Sequence, residues 1–102
     1  MAKAVFLNVY KIKKGMSISE FKEVVKELND GYISKLNGYV SFDLMQDVER
    51  GFWSDRTVFE TMEDAKAFAT ACEPNELAEK FYSCLNLSTC RSNLFVIEDS
   101  YS

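Results

Sequence analysis

Ala4-Val5-Phe6-Leu7-Asn8-Val9-Tyr10-Lys11-Ile12 decides the fold. β-Branched and aromatic residues dominate it, and Lys13-Lys14-Gly15 follows as a turn signal, so the stretch reads as a first strand. The two-residue alternation of a strand sets Phe6, Asn8 and Tyr10 on one side and Val5, Leu7 and Val9 on the other. Apolar side chains on both sides require that both faces of the sheet be covered.

Outward from that strand, Ser17-Ile18-Ser19-Glu20 fits a capping box, in which the serine hydroxyl and the glutamate satisfy exposed amides at a helix start. Ile18, Phe21, Val25, Leu28, Tyr32 and Ile33 then recur at helical spacing, opposite Lys22, Glu23, Lys26 and Glu27. Asn29-Asp30-Gly31 offers an early stop, but the stripe runs on to Leu36, which predicts one long helix. Asn37-Gly38 breaks it. Tyr39 to Asp47 and Phe52 to Phe59 flank the polar turn Glu49-Arg50-Gly51 and read as a hairpin. Thr61-Met62-Glu63-Asp64 caps a second helix carrying Ala65, Phe68, Ala71 and Cys72. Pro74 suits the first turn of a short further helix ending at Tyr82, and Asn93 to Glu98 reads as the last strand.

The order strand, helix, strand, strand, helix, strand predicts an α+β, ferredoxin-like βαββαβ domain, with a four-stranded antiparallel sheet and its helices on one face. The other face, bearing Val5, Leu7 and Val9, is too apolar for water, so a second copy of the chain is expected to cover it and form a homodimer.

Composition narrows the chemistry. The 102 residues suit a single domain, 1–102, and 47% hydrophobic content supplies a core. The net charge of −4 and the lack of a basic stripe argue against nucleic acid. The apolar run from Ala4 to Val9 is too short for a signal core or a membrane span, so a cytoplasmic protein without membrane contact is expected. Three unpaired cysteines at positions 72, 84 and 90 make no disulfide framework. The chain holds no histidine, which removes the commonest general base and transition-metal ligand, and no glycine falls in a phosphate-binding loop. No metal, flavin or haem cofactor is therefore expected.

Several motifs together carry a family resemblance. They are Lys13-Lys14-Gly15-Met16-Ser17, Leu36-Asn37-Gly38-Tyr39-Val40-Ser41, Trp53-Ser54-Asp55, Val58-Phe59-Glu60-Thr61-Met62-Glu63-Asp64-Ala65, and Phe81-Tyr82. Over nearly its whole length the chain resembles the dimeric α/β barrel proteins that include the antibiotic biosynthesis monooxygenases. The resemblance implies a dimeric barrel and a cofactor-independent oxygenase acting on a small aromatic or polyketide-like molecule that itself activates oxygen. Two departures matter: Phe59 stands where many members have tryptophan, and Asn8 matches a haem-degrading branch whose second-helix histidine is missing here.

On this reading Asn8 hydrogen-bonds a phenol or enolate oxygen, with Tyr10 and Tyr39 assisting. Trp53 or Phe59 stacks on the ligand, and Phe42 completes an aromatic lining. Each has a plainer alternative: Asn8 bonds a neighbouring side chain, and the aromatics are core. Asp43, Asp55 and Arg56 lie inside strands, where ion pairing or a solvated strand end is the simpler reading and proton transfer or anion anchoring the functional one. The competing functions are a non-enzymatic small-molecule binding or stress-response dimer, and a subunit-interaction module without a ligand.

Overall fold

The computed structural model describes residues Ala2–Ser102. They form β1 (Ala4–Ile12), α1 (Ile18–Gly31), a 3₁₀ turn (Ile33–Lys35), β2 (Tyr39–Asp47), β3 (Phe52–Phe59), α2 (Met62–Ala69), α3 (Glu76–Ser83) and β4 (Leu85–Val96). The strands lie in the order β2-β3-β1-β4, and every neighbouring pair is antiparallel. This is the expected α+β, ferredoxin-like arrangement. The helices start where side-chain caps begin them: Ser17 accepts from the Glu20 N–H, Thr61 from that of Asp64, and Asn75 from that of Ala78.

Four local expectations need correction. The first helix ends at Gly31 rather than running to Leu36, because Tyr32 leaves helical geometry at φ −137°. The 3₁₀ turn that follows keeps Ile33 buried and Leu36 against the core, which is why the apolar stripe outlasts the helix. Gly31 is also a close approach, since a Cβ there would lie 2.6 Å from Leu77 Cδ1 of α3. The second helix stops at Ala69, leaving Ala71 and Cys72 exposed. Pro74 stands just before the Asn75 cap instead of inside the first turn. The last strand begins at Leu85, not Asn93, and ends at Val96. As an edge strand whose side chains are mostly solvated, it carries the mainly polar stretch Asn86–Ser92 without apolar alternation.

The helices pack on the β1 side that carries Phe6, Asn8 and Tyr10. Tyr10, Phe21, Trp53, Phe81 and Leu85 anchor one buried cluster, and Ala4, Phe6, Phe59 and Ala65 a second. The opposite face has half-buried Val5, Leu7 and Val9 at its centre, with Met45 and Phe95 exposed and an Asp43–Arg56 ion pair at 2.8 Å. Among the described residues no helix is long and apolar enough to cross a membrane.

Candidate functional site

Strand register aligns three polar residues across the sheet. Asn8 of β1 stands opposite Asp55 of β3 on one side and Ser92 of β4 on the other. All three therefore share the helix-facing side, where cross-strand neighbours are close enough to bond. Asn8 Nδ2 donates to Asp55 Oδ1 at 3.0 Å, and Ser92 Oγ donates to Asn8 Oδ1. Tyr10, two residues along β1, donates its hydroxyl to Asp55 Oδ2 at 2.8 Å. The amide of Asn8 is thus oriented from both ends, and both carboxylate oxygens of Asp55 are held. The bond to Asp55 uses one of the two N–H donors that an asparagine amide carries.

Asp55 is only 2% exposed. Burial pushes its carboxyl up to about 6, and the donors Tyr10 and Asn8 keep it from rising further. Burial, and then the neighbouring Asp55, raise the Tyr10 hydroxyl well above the usual tyrosine range, so it stays a proton donor. Tyr82 is raised by the same two causes in the same order.

A cavity of about 270 Å³ opens beside this row, between the sheet and the helices. Asn8, Asp55 and Thr57 give its floor polar points, while Phe6, Phe42, Phe68 and Phe81 supply apolar wall and Tyr82 also lines it. Among its lining residues are Glu73 and Glu79 but no lysine or arginine. Such a cavity suits a small, neutral ligand and repels an anion.

Of the residues singled out from sequence, Asn8 and Phe42 line this cavity. Tyr10 is fully buried and does not line the cavity, although its hydroxyl bonds Asp55, which does. Trp53 packs edge-on against Phe21, with ring centroids 5.2 Å apart, and Phe59 packs against Phe68 in the second cluster; neither lines the cavity. Tyr39 also lies outside the lining and donates its hydroxyl to Asn29 Oδ1 at 3.3 Å.

Of the three strand charges, for which an ion pair or a solvated strand end is the simpler reading, Asp43 and Arg56 pair on the open face, but Asp55 belongs to neither an ion pair nor a solvated strand end. A signal for it was present. Trp53, Asp55, Thr57 and Phe59 alternate along β3, so a buried face that holds the two aromatics must also hold the carboxylate. Asn8 bonds its neighbours Asp55 and Ser92, as its plainer reading expects, and it also lines the cavity. A leucine at position 8 would strip a donor from a buried carboxylate, and the substitution therefore acts on stability as well as on any ligand.

No group of three or more potential metal-ligating side chains occurs among the described residues. No family model matches the sequence, and no curated protein matches it. Solved structures do match, 62 chains in all. SnoaB, a cofactor-independent oxygenase from Streptomyces nogalater, superposes with a TM-score of 0.76 at 13% identity over 98% of this chain and 97% of that one. In fold, the chain is similar to the antibiotic biosynthesis monooxygenases. A proposed member from Bacillus cereus gives a TM-score of 0.66 at 16% identity over 100% of this chain and 99% of that one. A hydroxynitrile lyase from Passiflora edulis gives 0.69 at 15% identity over 98% and 97%.

The raised carboxyl sets a pH dependence. Asp55 holds its proton more tightly folded, at about 6, than at the ordinary value of 3.8, so between those values the native state binds more protons than the unfolded chain. Its contribution is full below pH 4 and is lost as pH rises through 6. Urea unfolding should show wild type losing on the order of 3 kcal/mol relative to Asp55→Asn between pH 4 and 7. A pH-independent difference between the two would contradict the raised value.

Proposed function

We propose that the chain is a cofactor-independent oxygenase acting on a small, neutral aromatic or polyketide-like molecule, with Asp55 as the proton acceptor. The observation that carries this reading is a carboxyl held near 6 on the floor of an aromatic-walled cavity, poised to titrate close to neutrality. The fold shared with SnoaB supports it. That fold also carries a hydroxynitrile lyase in P. edulis, so the assignment rests on the side chains of the cavity rather than on the fold.

In this mechanism the ligand enters neutral, because the cavity offers acids and no cation. Asp55 takes the proton of an acidic ring hydroxyl. The negative charge moves from carboxylate to ligand without adding to the cavity's total, and in this proposal the second N–H of Asn8 stabilises it. The electron-rich anion passes one electron to dioxygen, and the resulting pair combines to form a carbon–oxygen bond. The proton held on Asp55 completes the hydroperoxide. Loss of water then leaves a carbonyl, so the ligand gives up two hydrogens, keeps one oxygen atom, and releases the other in the water. Tyr10 anchors Asp55 throughout and stays protonated.

With hydroxylated naphthalenes as substrates, oxygen uptake should rise with pH through about 6, as the base ionises. Asp55→Asn should lower it by roughly a hundredfold or more while the protein stays folded. Binding without oxygen uptake in the wild type would instead make the chain a non-catalytic small-molecule binder.

The same proposal includes a homodimer, formed through the sheet face away from the helices, and a cytoplasmic location. Val5, Leu7, Val9, Met45 and Phe95 supply apolar surface there, and a small domain gains much from covering it. Sedimentation at micromolar concentration should give twice the 11.7 kDa chain mass for the wild type, and Leu7→Lys should abolish that species. A stable wild-type monomer would refute the dimer.

A further inference from the structure

Resting on the oxygenase reading, we propose that Thr57 is a specificity-determining residue, which selects aromatic ligands bearing a second oxygen on the ring edge opposite the one that meets Asp55. Thr57 lines the cavity, is 1% exposed, and its Oγ1 has no hydrogen-bond partner among the described residues. It sits directly between Phe6 of β1 and Phe42 of β2 in the sheet register, and both of those line the cavity. The hydroxyl therefore belongs to a residue whose two cross-strand neighbours are apolar, and neither of them offers it a hydrogen bond. A buried hydroxyl without a partner is destabilising, so an arriving ligand oxygen would fill a need the fold leaves open.

The spacing defines the ligand. Thr57 and Asp55 are two residues apart on the same strand face, roughly 6.6 Å along the floor. One oxygen bonding to Asp55 and Asn8 and another to Thr57 must lie on opposite sides of a flat body, which would rest against Phe6 and Phe42. A volume of about 270 Å³ lies just below the range of ordinary drug-sized pockets and limits the ligand to one or two fused rings. The absence of a basic lining residue favours the neutral form. The class is thus a hydroquinone or a hydroxy-ketone of that size.

Calorimetry in the absence of oxygen tests this with naphthohydroquinone and its one-oxygen analogue naphthol. Wild type should bind naphthohydroquinone about tenfold more tightly than naphthol. Thr57→Val should erase that preference by weakening naphthohydroquinone alone, with a thermal midpoint equal to or above that of wild type. Thr57→Ser, which keeps the hydroxyl, should retain the preference. Equal affinities in wild type and Thr57→Val, or equal losses for both probes, would overturn the assignment and leave the Asp55 reading intact. Undiminished oxygen uptake in Asp55→Asn, with the Thr57 preference preserved, would overturn the base and not the selector. Failure of wild type to bind either probe would overturn both.

Discussion

A carboxylate buried in the middle of a sheet, lining a cavity with no cation, is a costly group, and the organisation of the site follows from how β1 accommodates it. Asp55 is tolerated because Asn8 and Tyr10, alternate residues of one strand, each present a donor to one of its oxygens. That requires the β1–β3 register to hold Asn8 opposite Asp55, since a slip of one residue would turn the donors to the other face. The register is stabilised in turn by the apolar residues flanking the polar row, with Phe6 and Trp53 both buried on the same side. The two donors do not fully offset desolvation, and the remainder appears as a carboxyl raised to about 6.

Much of the architecture was legible in the residues. The alternation of β1, the Ser17 and Thr61 caps and the glycine-containing hairpin turn give the element order, and from it the sheet. What escaped has physical reasons. An apolar stripe records which side chains meet the core, not whether the backbone joining them stays α-helical, so Ile33 and Leu36 disguised the break at Tyr32. Between Leu85 and Cys90, which touch the core, β4 is mainly solvated, so little packing imposes alternation there, and hydrogen-bond pairing with β1 makes it a strand.

The site was legible in part for a similar reason. An asparagine inside an apolar strand marks a polar need, and Asn8 was visible on that ground. Its partner was less visible, because Asp55 and Arg56 are adjacent in sequence and invite a common reading, although alternation sends them to opposite faces. The aromatics divide along the same line. Phe42 reaches the cavity, whereas Trp53 and Phe59 fill the core, and only the packing of helices over the sheet separates those roles. Thr57, an ordinary strand former, becomes conspicuous only when its hydroxyl is found without a partner.

The account stands on the protonation of one side chain, which can be observed directly. With isotope-labelled aspartate, the carboxyl carbon of Asp55, assigned by its loss in Asp55→Asn, should titrate in the folded protein with a midpoint near 6. A midpoint at the ordinary aspartate value of 3.8 would contradict the account, because the cavity would then hold an acid too weakly basic to take a proton from a neutral aromatic.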